Sequence, residues 1–303
     1  IRGLLVVWVA TSIVFVLAHG AGDPASAMLG VRASPAQLQA FRERHGLDGG
    51  LHEQYGRWLG GVVRLDLGRS WRDEQPVGEV IATRLPRTML LGGLALLFEL
   101  LIGVSIGTIA ALRRNGPIDT VVMGLAFLGI SAPTFLTGLV FLQIFAFRLG
   151  WFPVGGYGVD LLDHVRHALL PALTLAIVGA ATYARIMRSE MIDTLRQDYV
   201  RTAKAKGLSP LSVVRHAFRN ALLPIVTLIG LSMPLLVSGA VITETIYAWP
   251  GVGRLAFESI SSGDVPTILG VVLIASVAVQ FGNLGADLAI ARLDPRIRLQ
   301  RSL

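Results

Sequence analysis

Residues 188–224 read RSEMIDTLRQDYVRTAKAKGLSPLSVVRHAFRNALLP, a polar stretch flanked on both sides by long apolar runs. Seven Lys or Arg stand against three acids within it, and both lysines of the chain, Lys204 and Lys206, fall here. Cytoplasmic connections of membrane proteins accumulate Lys and Arg, so a basic excess this large in a short connection marks the cytoplasmic side. The punctuation inside the stretch predicts two helices. Tyr199 to Lys206 reads as a short helical run, with Asp198 as its N-cap and Gly207 as the glycine that ends it. After Gly207-Leu208-Ser209-Pro210 a second helix carries Leu211, Val214, His216/Ala217, Phe218 and Leu222 down to Leu223-Pro224. The expectation is a helix, a glycine turn and a second helix, held against the inner face of a membrane.

Composition supports that setting. Of 303 residues, 53% are hydrophobic and only 16% charged, whereas a soluble domain carries about a quarter charged residues. The apolar residues are gathered into runs of the ~20 residues needed to cross a bilayer. The fold class that follows is an all-α integral membrane protein. The net charge of +7 is the usual surplus of cytoplasmic Arg and Lys, so no nucleic acid partner is called for. With no cysteine in the chain, disulfides and thiolate metal sites are excluded.

Working outward from the loop gives six expected spans: 1–18, 88–112, 118–147, 165–187, 224–246 and 267–291. The first run is short for a span, which predicts further residues, basic ones, ahead of Ile1. No small-x-small cleavage pattern follows it, so a cleaved signal peptide is disfavoured. The third run is long, and Pro133 in GISAPTF predicts a kink. Residues 19–85 form the one long polar stretch, read as an external helical loop. In it Ser34-Pro35-Ala36-Gln37 is a capping-box start for a helix ending at Gly46, and Leu51, Tyr55, Trp58/Leu59 and Val62 mark a second amphipathic helix. Arg113, Arg114, the seven basic residues of the central loop and four in the tail (292–303) lie on one side. Arg148, Arg166 and Arg254 lie on the other. Six spans with both termini in the cytoplasm satisfy this bias.

The central stretch resembles the cytoplasmic EAA loop of membrane subunits of ATP-binding-cassette importers, in the version of the dipeptide/oligopeptide/nickel permease family. Arg201-Thr202-Ala203 stand where Glu-Ala-Ala stands in the general motif, three residues before Gly207, with Leu223-Pro224 closing the segment. Arg201 replaces the glutamate, and the interval from glycine to proline is about one helical turn longer. Both departures resemble the peptide-permease branch, whose loop reads YVRTARAKGLS and then RNALLP. GDPA at Gly22, HGLD at His45, DLGRS, QPVGEVI, the ITETIYAWPGVGRL turn and the LDPRIR tail extend the resemblance over nearly the whole chain.

The resemblance implies the type I importer permease fold, with 86–291 as its transmembrane domain, in a bacterial or archaeal cytoplasmic (inner) membrane. It also implies partners: a second homologous permease subunit, two nucleotide-binding ATPase subunits or domains, and an external solute-binding protein. Within 188–223, Asp198, Tyr199, Arg201, Thr202, Ala203, Lys204, Ala205, Lys206, Gly207 and Leu208 are the expected ATPase-coupling residues, Ala203 on the face that meets the ATPase. The chain carries no GxxxxGK[ST] loop, so ATP and Mg are expected on the partner subunits and no cofactor on this chain. Peptides are the expected cargo, with nickel chelates, glutathione or another small solute as alternatives.

Ionisable or polar residues within spans usually face the protein interior or a water path. Glu99, Gln143 and Asn283 are candidates for the translocation path, Glu99 alternatively a carboxylate bonded between helices. Glu244 and Asp287, near span ends, are read as structural, and Arg185 and Arg188 as snorkelling to the inner surface. His164 and His167 have i, i+3 spacing, but no Cys or carboxylate cluster completes a metal site. Other function classes fit less well. An ion-coupled secondary transporter needs coupling residues and usually an internal repeat, and neither is evident. A membrane-embedded enzyme is unsupported, since HExxH, GxSxG and paired catalytic carboxylates are absent, and no catalytic residue is assigned.

Overall fold

The computed structural model describes residues 2–20, 22–30, 32–238 and 240–293; for 2, 231, 233–238, 286, 287 and 289–293 the description is of the backbone alone. The helices are α1 (Arg2–Gly20), α2 (Pro24–Leu29), α3 (Pro35–His45), α4 (Leu51–Val63), α5 (Val77–Leu112), α6 (Pro117–Ser131), α7 (Thr134–Phe141), α8 (Leu161–Leu195), α9 (Asp198–Ala205), α10 (Pro210–Ser238), α11 (Val241–Ile246), α12 (Val252–Ser262) and α13 (Val265–Leu293), with a π-helical segment at Leu142–Arg148 after α7. Among the described residues, the β structure is an isolated bridge between Arg69 and Pro76.

The chain is an all-helical integral membrane protein. Gly3–Gly20, Val77–Leu112, Leu161–Leu195 and Val265–Gly285 are each long and apolar enough to cross a bilayer. The pair Pro117–Ser131 and Thr134–Arg148 gives a fifth if it acts as one span, but it is bent by 105°. The expected kink at Pro133 is therefore a full break, because Ala132 and Pro133 both adopt extended backbone between the two helices.

The boundaries of α5 and α10 depart from the sequence expectation. Helix α5 starts at Val77, not Thr88, and carries Pro86 inside it. Pro224 lies within α10 rather than dividing a loop helix from a span, and α10 stops at Ser238, before the expected end at Ile246. A proline removes one backbone bond, which a long helix tolerates when its flanks are packed. In the expected fifth span the side chains of 231 and 233–238 and the whole of residue 239 lie outside the described residues, as do the side chain of Asp287 and the tail from 294.

One compact unit comprises 1–89, 237–241 and 250–280. Helix α3 in it forms as the Ser34 signature predicts. Ser34 Oγ accepts from Gln37 N, Gln37 Oε1 accepts from Ser34 N at 2.8 Å, and Gly46 closes α3 in the left-handed region. Asp23 caps α2 and receives a two-pronged bond from Arg42 of α3 at 3.2 and 2.8 Å. That guanidinium holds the Asp23 carboxyl well below the usual carboxylate range. Asp264, ahead of α13, is buried and accepts from Ser70 Oγ (2.6 Å), Trp71 N (3.0 Å) and Thr267 Oγ1 (2.6 Å). Three donors satisfy a carboxylate whose burial is otherwise unfavourable. Val77 and Ile81 of α5 pack with Val252, Leu255 and Val271.

The second unit comprises 90–236, 242–249 and 281–303. Close backbone approach organises it. A Cβ on Gly103 would lie 2.6 Å from Ala180 O, and one on Gly107 would collide with the Ala184 carbonyl. Lipid tails are as apolar as side chains, so association in a bilayer relies on such packing of small residues. Leu96 and Ala111 of α5, Tyr183, Met187 and Met191 of α8, and Ala217, Ala221 and Ile225 of α10 form its main core. Tyr247 forms a second node. Its hydroxyl lies 2.7 Å from Thr174 Oγ1 of α8 and donates to Gly138 O of α7 at 3.1 Å.

Candidate functional site: the loop between α8 and α10

Helix α8 runs past its apolar stretch to Leu195, where Arg196 and Gln197 turn the chain into α9. The cap of α9 is Gln197, in extended conformation and without a side-chain cap bond, rather than Asp198. Asp198 is instead the first helical residue, where its charge opposes the positive end of the helix dipole, and it pairs loosely with Arg201 at 3.4 Å. At the other end Lys206 is the cap and Gly207 follows with φ +80°. Gly207 N donates to Lys204 O (3.0 Å) and Leu208 N to Ala203 O (3.2 Å), so the left-handed glycine satisfies carbonyls that the helix leaves open. This is the turn expected of Gly207.

Val200 is buried, and Ala203, three residues on and therefore on an adjoining face, is half-buried. Ala203 is thus turned partly toward the protein body rather than outward. The exposed residues are Asp198, Arg201, Thr202, Lys204, Ala205, Lys206 and Gly207; Tyr199 is partly exposed and Leu208 half-buried. Asn220 Nδ2 of α10 donates to Tyr199 Oη at 2.7 Å, tying the two helices across the Gly207 turn. Along α10, Ser212, Arg215, His216, Phe218, Arg219 and Leu222 border an open groove of about 540 Å³. The loop therefore offers a short, rigidly turned, cation-rich helix backed by an apolar core, a shape suited to docking on an acidic-rimmed protein groove.

Arg188 does not snorkel. Its Nε and Nη2 donate to Oδ1 and Oδ2 of Asp119 in α6 at 2.5 and 2.7 Å, while Arg185 is exposed.

The three path candidates are not brought together by any described hydrogen bond. Glu99 is half-buried in α5 with its carboxylate directly over Gly179 of α8, where a Cβ would overlap it. Gln143 is exposed in the π-helical segment and Asn283 is exposed on α13. Glu244 is fully buried, and its carbonyl accepts from Trp249 N at 2.8 Å. His164 Nδ1 lies 2.9 Å from Tyr157 O with its ring stacked on Tyr157, and His167 Nδ1 lies 2.8 Å from Asp163 O. Both imidazoles are engaged within the fold. Among the described residues, no group of three or more His, Cys, Asp or Glu is placed to hold a metal ion.

Against known proteins, residues 103–299 match the family of binding-protein-dependent transport system inner membrane components, and residues 1–92 match the N-terminal region of such membrane components. The chain belongs to this family. The oligopeptide transport system permease protein AppB of Bacillus subtilis is 39% identical over 295 residues, 95% of this chain and 93% of that protein. The di/tripeptide transport system permease protein DppB of Pseudomonas aeruginosa is 39% identical over 305 residues, 92% of this chain and 91% of that protein.

Two features of this inner membrane component escaped the sequence reading. Gly103-Val-Ser-Ile-Gly107 is a GxxxG pattern in an apolar run, a signal for close helix approach that was there to be read. Asp119 offered a weaker sign, a lone acid two residues after Pro117 at the head of an apolar run, and its partner stands 69 residues away.

Proposed function

We propose that the chain is the membrane-spanning permease subunit of an ATP-driven importer of di- and oligopeptides, and that 188–223 couples it to the ATPase. The observation that carries the coupling reading is the exposed row Arg201, Thr202, Lys204, Ala205 and Lys206 on a short helix ended by left-handed Gly207. The likeness to AppB and DppB over more than nine-tenths of the chain supports peptides as cargo.

In this reading an external binding protein delivers the peptide, and the path runs within six spans with both termini cytoplasmic. Two nucleotide-binding subunits carry ATP and Mg and supply the energy; this chain binds neither. Closure of the ATPases pulls on α9, and the pull reaches the spans through α8 and α10, whose side chains share one core. An ATPase dimer offers two grooves and this chain one docking helix, so a second, homologous permease completes the transporter. The passage borders on Glu99, Gln143 and Asn283.

The test is purification from the native membrane followed by mass measurement and reconstitution. The expected complex holds two permease chains and two ATPases, and hydrolyses ATP faster when peptide-loaded binding protein is added. A chain that purifies without an ATPase, or a complex indifferent to every peptide tried, overturns the reading.

A further inference from the structure

We propose that the Arg188–Asp119 ion pair makes α6 and α8 move as one body, so that displacement of the coupling helix reaches the break at Ala132-Pro133. The proposal rests on reading 188–223 as the coupling loop. Arg188 stands seven residues before the end of α8, and α9 begins three residues beyond that end. Asp119 is the third residue of α6. Two parallel N–H···O bonds, at 2.5 and 2.7 Å, fix orientation as well as distance, which a single contact does not. Asp119 is 5% exposed at its side chain and Arg188 26%, so the carboxylate end of the pair is shielded from water. The backbone N–H of Asn115 also donates to Asp119 Oδ2 at 2.8 Å, and Asn115 holds a left-handed φ of 61°. The pair therefore also secures the basic turn that leads into α6.

Toward the other end of α6, the same two helices are in contact again. A Cβ on Gly129 would lie 3.3 Å from Ile177 Cγ2 and 3.5 Å from Ala181 Cβ of α8. With α6 fastened near both ends, it has no freedom to lag when α8 shifts. The chain then breaks by 105° into α7, whose Gly138 carbonyl is held by Tyr247. Ala132 and Pro133 are therefore where a movement of α6 arrives at α7, which Tyr247 ties in turn to Thr174 of α8. Arg188 and Asp119 are positioning residues in this scheme; neither is placed on the path.

Two measurements on the reconstituted transporter test the proposal. In the first, Arg188→Gln, Asp119→Asn, the exchange Arg188→Asp with Asp119→Arg, and Gly207→Val are compared at matched membrane amounts. Peptide imported per ATP hydrolysed should fall by about tenfold in each single variant of the pair and recover to within about threefold in the exchange, as expected of a pairwise coupling. A merely structural pair would lower the amount of protein and leave that ratio alone, which overturns the proposal. Losses in both single variants without recovery in the exchange also overturn it. An unchanged ratio in Gly207→Val overturns the coupling-loop reading itself, so the two failures are told apart.

The second measurement keeps the native pair. The chain has no cysteine, so spin labels can be placed on Cys substituted at exposed Val121 of α6 and Ser189 of α8. Their separation should stay constant within about 2 Å between nucleotide-free and ATP-bound states, while a change of about 5 Å or more, the size of a helix ratchet, means that the helices do not move together.

Discussion

Asn220 Nδ2 donates to Tyr199 Oη at 2.7 Å, joining the first turn of α9 to α10 across twenty-one residues and a glycine turn. Both side chains reach solvent, so the bond contributes only about 0.5–1.5 kcal/mol. Its work is to set where the short helix stands. Tyr199→Phe is expected to leave the amount of protein in the membrane unchanged and to lower peptide uptake by about two- to tenfold. Undiminished uptake would mean that burial of Val200 alone positions α9.

Gly207 has φ +80°, and no atom lies within 4 Å of the place a Cβ would take. Substitution there costs backbone strain and nothing else. A β-branched residue in the left-handed region costs about 1–2 kcal/mol, whereas asparagine visits that region readily. Gly207→Val should therefore reduce coupled uptake by about 5- to 30-fold at near-normal expression, and Gly207→Asn should retain most of it. Equal uptake in the two variants would show that the left-handed turn is irrelevant to transport.

At Gly107 the problem is space. A methyl group there meets the Ala184 carbonyl and Met187 Cβ, while Gly93 on the same helix has nothing within 4 Å. Overpacking by one methyl costs about 1–3 kcal/mol, and an open helical glycine gains up to about 1 kcal/mol on becoming alanine. Thermal inactivation of the detergent-solubilised protein should come earlier for Gly107→Ala and no earlier for Gly93→Ala. Like behaviour of the two variants would contradict the close approach of α5 and α8.

Residues 24–76 carry a pH dependence through His45, whose ring packs on Phe41 and Trp71. Burial pushes its pKa below the ordinary 6.5; Arg44 adds to that push, and Glu74 and Asp264 oppose it. The folded form thus resists a proton that the unfolded form accepts. Stability is full above about pH 6.5, falls as the pH drops from there toward the folded pKa, and stays reduced below it. Limited proteolysis of 24–76 should quicken between pH 7.5 and pH 5.5 in the wild type, and His45→Gln should remove that increment. An equal increment in the variant would assign the effect elsewhere.

What was legible in the chain was local. The Ser34 capping box and the Gly207 turn depend on neighbours a few residues apart, and both form as read. The N-cap of α9 slipped by one residue because Gln197 takes the extended conformation with no side-chain bond to advertise it. Pro224, read as the end of the loop helix, sits inside α10 instead, because the continuation of a long helix is decided by packing on either side. The Pro133 kink was visible, yet its amplitude belongs to distant contacts such as Tyr247 with Gly138, 109 residues apart. A separation of 69 residues likewise hid Arg188 and Asp119 from one another.

The length of α8 has a mechanical consequence. Its 35 residues make a rod of about 52 Å at 1.5 Å per residue, against a hydrocarbon layer about 30 Å thick. Standing upright in that layer, the rod would leave roughly 20 Å clear of the hydrocarbon, shared between the Asp163/His167 end and the Arg188/Leu195 end. A tilt of about 10° around the midpoint carries the two ends some 4–5 Å in opposite directions, with no change in helix length or internal bonding. A see-saw of this kind turns a small pull at one membrane face into an opposite movement at the other, which is the geometry a passage open to only one side at a time requires.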